Sequence, residues 1–551
     1  MSSRIVWAIF VAVIVSLMPL GAQTTSGEIV GTVTDATGAV VAGATITVTN
    51  MDTGISVKAS TDSSGNYVVT SLGIGRYSVS VEATGFKKSL HNDLTLNVQD
   101  RLRVDAVLEV GSVNDTVEVA AAAPLLETDT SSLGQVVDSQ RIEDLPLNGR
   151  YFTRLAVLTA GTAPTVHGAR DENSGGFTSN GVRPFQNNFL LDGVDNNSLS
   201  EDLVSQQSFV IGPPPDAIAE FKVQTNSMSA EFGRSGGAVL NVTIKSGTNQ
   251  LHGTLYEFLR NSALDAKNFF DDPTQPIPPY KQNQFGFSVG GPVLIPKVYD
   301  GKNRTFFFFD YQGTRIRIGN SLFASVPPDA WRTGNFAGYN TIYEPASTTT
   351  DAQGNSTRTP FPNNQIPSSL FNPIAAKLLS MFPEPNVAGQ VSTFGVSNNY
   401  LSSPSEPNDT DQFDVRIDHK ISESDSIFGR FSYSNNTDNP PGPIPPPLDA
   451  ASFSSGNFLN RPRNGVISET HIFNPKVVNE FRLGYSRNRS ERLQFNANEN
   501  LSAQLGIPGI PFSTNNGGLP QFSVNGLNTF GSSEYQPTVE TQEVYHIIDS
   551  V

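Results

Sequence analysis

Gly233, Ser235 and Gly237 spell G-x-S-x-G, the spacing that sets a nucleophilic serine on a sharp turn between a strand and a helix. The next residues read AVLNVTIKSG, in which Leu240, Val242 and Ile244 alternate with Asn241, Thr243 and Lys245. That is the period of a strand, so the helix the elbow needs is missing. The histidines, at positions 91, 167, 252, 419, 471 and 546, are scattered, and none opens H-E-x-x-H or H-x-x-E. Neither common zinc peptidase pattern is present, and no Walker-type glycine loop occurs. The carboxylates Asp192 and Asp195 stand in D-G-V-D-N-N, which lacks the alternating oxygen ligands and distant glutamate of an EF-hand. The sequence is expected to be no enzyme and to use no metal or cofactor.

The tract around those carboxylates, SNGVRPFQNNFLLDGVDNNSL, makes better sense as structure. Phe189, Leu190 and Leu191 suit a short buried strand, and Asp192, Gly193, Asp195, Asn196 and Asn197 suit a turn at its exit. Gly tolerates positive φ, and Asx side chains hydrogen-bond nearby backbone.

The whole chain has the same texture. Only 16% of its 551 residues are charged, while Gly (47), Pro (37) and Phe (35) are plentiful, the profile of a β-rich chain with many turns. A net charge of −16 without a basic stripe argues against nucleic acid. The absence of cysteine excludes disulfides, thiolate sites and an acylated N-terminal cysteine. Arg4, the apolar run IVWAIFVAVIVSLMPL and Gly-Ala-Gln read as a signal peptide over residues 1–22. The competing reading is a membrane anchor, but the run is short of the ~20 residues a spanning helix needs and is broken by Pro19.

Residues 23–111 carry period-two runs separated by turns such as Asp-Ser-Ser-Gly: Ala44, Ile46 and Val48 alternate with threonines, and Tyr77, Val79 and Val81 with Ser and Glu. They predict a small β-sandwich closed by a strand over 101–109. Residues 112–130 form a linker with one extended run, Asp115, Thr116, Val117, Glu118, Val119 and Ala120. Further on, Phe152, Leu155, Ala156 and Leu158 fit one helical face. Past residue 248 come longer alternating runs: Phe413, Val415 and Ile417 against Asp414, Arg416 and Asp418; Phe431 and Tyr433 against Arg430 and Ser432; Phe481, Leu483 and Tyr485 against Arg482 and Gly484. One lipid face and one wet face would give that pattern, and so would a soluble antiparallel sheet. A Pro, Asn, Ser and Thr-rich stretch between Gly313 and Asp411 holds one helix, capped by Asn372, and suits an extracellular loop.

Four ordered blocks, GTVTDATG, AGATITV, TDSSGNY and GRYSVSVEATGF, resemble the carboxypeptidase regulatory-like domain, a carbohydrate-binding-like fold. DLPLNGRYFTRLAVLTAG, NGVRPFQNNFLLDGVDNN and AIAEFKVQTNSMSAEFGRSGGAVLNVTIKSGTNQLHGTLYEFLRN resemble the plug and first barrel strand of TonB-dependent outer-membrane receptors of the Oar-like group. The resemblance implies a mainly β chain: an N-terminal sandwich, a small α+β plug over 131–247, and an incomplete transmembrane antiparallel barrel over 248–551. It places the protein in the outer membrane of a Gram-negative-type envelope, with outer-membrane lipid, the TonB periplasmic domain and an extracellular ligand, glycan or peptide among the options, as partners. Asn188, Asp192, Gly193, Asp195, Asn196 and Asn197 become a plug motif whose polar exit faces a wet lumen. Residues 115–120 are similar to a TonB box, which binds by β-augmentation; a last sandwich strand or plain linker fits them equally. The alternative function is an exported glycan-binding protein that transports nothing.

Roughly eight strand-like windows come after residue 250, against about 22 strands in plugged transporters, so the residues are expected to be part of a longer receptor. N-terminal sequencing of protein purified from membranes is expected to start near Gln23; a chain retaining Met1 or Arg4 would overturn the signal-peptide reading.

Overall fold

The computed structural model describes residues 26–112, 115–119, 132–165, 175–198, 207–234, 236–267, 276–448, 455–474 and 477–551. Residues 1–22, expected to be a signal peptide, as well as Ala120 and Ser235, lie outside them.

The first unit is a two-sheet sandwich. Strands β1 (Gly27–Asp35), β2 (Thr45–Asn50), β3 (Ser56–Ser60), β4 (Asn66–Leu72), β5 (Gly75–Glu82) and β6 (Lys88–Leu96) form its body. Two short strands, β7 (Arg101–Arg103) and β8 (Ala106–Leu108), both lie parallel to β1, which splits the single closing strand expected over 101–109. The alternation predicted the core correctly: Ala44, Ile46, Val48, Tyr77, Val79 and Val81 are all buried between the sheets. Strand β9 (Thr116–Val119) adds to the second sheet, in the order β3-β2-β5-β6-β9, so pairing in this unit runs past Gly111.

The second unit is a five-stranded sheet, ordered β10-β15-β16-β13-β14, from β10 (Leu133–Asp138), β13 (Asn188–Leu191), β14 (Val194–Asp195), β15 (Ile218–Asn226) and β16 (Val239–Ile244). A separate two-stranded ribbon joins β11 (Thr162–Pro164) to β12 (Phe177–Ser179). Helix α1 (Ser139–Asp144) is capped by Asp138, whose carboxylate accepts from Arg141 N. The predicted helical face at Phe152–Leu158 is a 3₁₀ segment that buries Phe152, Leu155 and Ala156 but leaves Leu158 exposed. Burial of only part of that face selects the tighter 3₁₀ turn over an α-helix. Residues 239–244 are a strand, as the alternation after G-x-S-x-G required.

The third unit is a nine-stranded antiparallel wall. It contains β17 (His252–Asn261), β18 (Tyr280–Pro292), β19 (Thr305–Gly319), β20 (Ser405–Lys420), β21 (Asp425–Asp438), β22 (Asn457–Asn460), β23 (Arg463–Asn474), β24 (Val477–Leu493) and β25 (Thr538–Ser550). Strand β21 pairs along most of its length with β23 and at its far end with the short β22. Among the described residues β17 and β25 pair on one edge only. Along β24 the buried side is polar, with Glu480, Arg482, Ser486, Asn488 and Ser490, while Leu483 on the other face is exposed. Polar residues face in and apolar ones out, the reverse of a soluble sheet packed on an oily core.

Short turns close one rim of the wall, such as residues 421–424, and long connections leave the other. The long segment expected to hold one helix and to suit an extracellular loop carries that helix and a core of its own. It carries helix α2 (Pro373–Met381), whose Asn372 cap accepts from Ile374 N at 2.9 Å, and buries Leu378 and Phe382. These pack with Ile444, Leu448, Leu505 and Phe530 from two later connections into a hydrophobic cluster of their own. Three loops therefore share one core, which explains how so long an excursion stays ordered.

Candidate functional site

The site begins with a two-residue turn. Leu190 pairs with Asp195 and Leu191 with Val194, leaving Asp192 (φ 47°) and Gly193 (φ 76°) as the hairpin tip. Two successive positive φ values define a type I′ turn, which Asp-Gly favours. The turn carries the Asp192 carboxylate out of the five-stranded sheet of the second unit, the one expected to be the plug and called so below, and into the wall.

There it meets two guanidinium groups. Arg416 on β20 and Arg430 on β21 stand directly opposite each other in the ladder, on the inward face. Arg416 Nη1 donates to Asp192 Oδ1 at 3.1 Å, and Arg430 Nε donates to Asp192 Oδ2 at 3.0 Å. Like charges directly across a ladder repel, so one carboxylate shared between them offsets a strain built into the wall. The side chains of Asp192 and Arg430 are 1% and 0% exposed, which takes the ion pair out of the range of weak surface bridges.

Backbone contacts complete the latch. Arg416 also donates to Ile244 O at 3.1 Å, Arg430 to Leu191 O at 3.1 Å, and Arg482 to Asp192 O at 3.3 Å. Asn464 donates to Asp195 O at 3.1 Å. Gly484 is needed for close approach, because a Cβ there would stand 2.8 Å from the Val194 side chain. A second contact lies on the first wall strands: the Arg150 guanidinium sits 4.4 Å over the Tyr256 ring, hydrogen-bonds Gln312 at 3.1 Å and pairs with Asp216.

The remaining motif residues brace the turn from within. Asn197 accepts from Phe189 N at 2.8 Å and donates to Asn188 Oδ1 at 2.8 Å, while Asn196 donates to Ile211 O at 2.8 Å. Their burial corrects one expectation. Asp192, Asn188, Asn196 and Asn197 do not face a wet lumen; they are enclosed, because the inward arginines and neighbouring backbone satisfy them. Sequence reasoning placed Arg416, Arg430 and Arg482 on the polar side of strands but did not couple them to Asp192.

On the sandwich, β9 lies parallel to β6, with Val117 opposite Ser89, and Glu118 accepts from Asn92 at 2.6 Å. Residues 116–119 therefore form a last, edge strand of the sandwich, one of the readings the sequence left open, ahead of the second unit in the chain. The sandwich also meets the plug directly: Val98 N–H donates to the Glu220 carboxylate, and Lys222 Nζ donates to Asp100 at 3.0 Å. Burial pushes the Glu220 carboxyl up to about 8, with Asp100 and Asp138 adding to the shift and the Val98 N–H and Lys222 opposing it. At the short-turn rim, ligand atoms of Asp425, Glu469 and His471 lie within 4.8 Å of one another, and Asp425 and His471 hydrogen-bond at 2.6 Å.

Two outcomes are expected from this geometry. Asp192→Asn keeps a residue that tolerates positive φ but takes the paired carboxylate from Arg430 and leaves Arg416 with Asp418 alone, at 2.9 Å. It should weaken plug docking by about 3 kcal/mol, read as a lowered denaturant midpoint for plug release. Glu220 binds its proton more tightly when docked than when free, where its value is 4.5. Its contribution is therefore fully present below about pH 4.5, falls as pH rises toward 8 and levels off beyond. Protease access between sandwich and plug should rise across that window in the native protein and stay flat in Glu220→Gln.

Comparison with known proteins fits this architecture. A family model described as an outer membrane beta barrel domain matches residues 243–551, and one for the carboxypeptidase regulatory-like domain matches residues 28–109. The chain is 27% identical over 304 residues to the TonB-dependent transporter Oar of Myxococcus xanthus, covering 53% of this chain and 27% of that protein. Similar solved structures include the outer membrane transporter YddB of Escherichia coli, at 10% identity and TM-score 0.45, covering 76% of this chain and 45% of that one. The siderophore receptor PirA of Acinetobacter baumannii is similar at 15% identity and TM-score 0.39, covering 77% and 49%. The chain thus spans about a quarter of its curated relative and a little under half of these solved chains. With more than half of its length in that one domain, the chain belongs to the outer membrane β-barrel family and is a protein of the outer membrane.

Proposed function

We propose that the protein is a TonB-dependent receptor in which the plug is a gate, the wall its frame and residues 115–120 the handle. The observation that carries this reading is the plug's attachment to the wall through Asp192, Arg416 and Arg430. Such a contact is stable at rest, and it is made of a few directional interactions that a pull along the chain can break in sequence. The handle precedes the plug, so force applied there reaches β10 and then β15, the strand β10 pairs with.

Strand β9 is suited to the handle's role. It is paired with β6 on one edge, and β-augmentation by the TonB periplasmic domain would use backbone N–H and C=O groups of the same short segment. The ligand would be met by the shared-core loops on the far rim; siderophore, glycan, peptide and protein are all compatible with them. The carbohydrate-binding-like fold of the sandwich does not by itself make it a sugar site.

The chain has no cysteine, so a single cysteine at Thr116 is a clean crosslinking probe. Thr116→Cys is expected to crosslink to a cysteine-bearing TonB periplasmic domain, and adding Val117→Pro should lower the yield at least tenfold, since Pro removes a donor and restricts the preceding residue. Equal yields with and without the proline would place the handle elsewhere.

A further inference from the structure

A second pair of opposed arginines lies on the outside of the wall. Arg463 on β23 faces Arg487 on β24 directly across the ladder, and Arg461 N–H bonds to Arg489 O at 2.9 Å one step further along. The four guanidinium side chains line a cleft of about 200 Å³. Their face is the outward one: on the same two strands Asn464, Arg482 and Gly484 point at the plug, and the arginines occupy the alternate positions.

The level of the cleft is set by register. Ile467, Leu483 and Ile547 form one exposed apolar row across β23, β24 and β25. The next row toward the long connections holds Tyr485 and Tyr545, with ring centroids 5.2 Å apart, and Phe431 on β21. Arg463 and Arg487 come one row beyond, with Arg463 lying 5.6 Å over the Tyr433 ring. Apolar belt, aromatic girdle, then cations is the order in which a barrel wall passes from hydrocarbon to headgroups. Long connections mark the extracellular side, so the cleft stands at the outer leaflet.

Charge within the cleft is incompletely balanced. Glu543 pairs with Arg487 at 3.3 Å and Glu491 with Arg489 at 2.7 Å, while Arg461 bonds the neutral Asn435 at 3.1 Å. Elsewhere on the same rim two outward arginines each have their own carboxylate: Arg315 with Asp411 at 2.7 Å and Arg317 with Asp409 at 2.6 Å. Inside the wall, the opposed pair Arg416 and Arg430 is bridged by an anion from the plug. We propose that the outside pair is bridged too, by the phosphate of an outer-leaflet lipid headgroup held in the cleft of Arg461, Arg463, Arg487 and Arg489. Planar guanidinium forks match phosphate oxygens in pairs, and the aromatic row beneath can receive the upper acyl segment.

The test uses the full chain purified from membranes in nonionic detergent, with native mass spectrometry counting bound lipid. Bisphosphorylated lipid A is the probe, beside the same lipid dephosphorylated and inorganic pyrophosphate. Wild type is expected to retain lipid A at least tenfold better than Arg463→Gln/Arg487→Gln, to bind the dephosphorylated lipid as weakly as that variant does, and to bind pyrophosphate far more weakly than lipid A. Arg317→Gln, which alters a balanced pair on the same rim, should behave as wild type. Equal retention by the double variant, equal retention of the dephosphorylated lipid, or pyrophosphate binding as tight as lipid A would each overturn the proposal.

Discussion

Arg416 and Arg430 face each other across a ladder, buried on the inner side of the wall, and the carboxylate of Asp192 lies between them. Each half is less stable alone. Without the acid the wall holds two opposed inward cations, of which Arg416 alone keeps a paired carboxylate, Asp418 at 2.9 Å; without the arginines the Asp192 carboxylate keeps the Ile244 N–H at 3.1 Å but loses both positive charges. Each unit supplies what the other lacks, so the plug and wall specify one another's position.

The other contacts are arranged around that one. The I′ geometry of Asp192 and Gly193 aims the carboxylate, the Asn188, Asn196 and Asn197 network fixes the turn, and Gly484 lets Val194 come close. The apolar core of the plug lies mainly within its own sheet, among residues such as Val137, Phe221 and Leu240, with Phe308 as the wall's contribution. A unit that keeps its core to itself and meets its frame through directional polar bonds can move without unfolding the frame. The sandwich is joined to both in the same polar manner, through Glu220 and Lys222 on the plug and through Asn249, which donates to Thr53 O at 2.7 Å, beside the wall.

Much of the fold was legible in the residues because its signals are local. Period-two alternation marked the sandwich core and the two faces of β20, β21 and β24, Asp-Gly marked the hairpin tip, and Asn372 marked a helix start. What escaped was coupling over distance. Asp192 and Arg416 are 224 positions apart, and alternation alone shows only that an arginine points inward, with nothing about what it meets. For the same reason the loop core was missed, since Leu378, Ile444 and Phe530 come from three separate connections. The segment at Phe152–Leu158 failed differently: its apolar spacing suited a helix, and burial of only part of that face made a tighter turn. Strand β9 was readable as extended, but its partner β6 was not.

Single-molecule pulling tests the central claim most directly, with one handle at Thr116 and the other at the far end of β25. The expected record shows an early event in which the plug sheet leaves and lengthens the chain by roughly the span of the plug, with the wall still folded, and a lower force for that event when the Asp192 charge is removed. A single rupture in which plug and wall unfold together, at a force indifferent to Asp192, would contradict the view that one shared carboxylate holds a movable plug in a rigid frame.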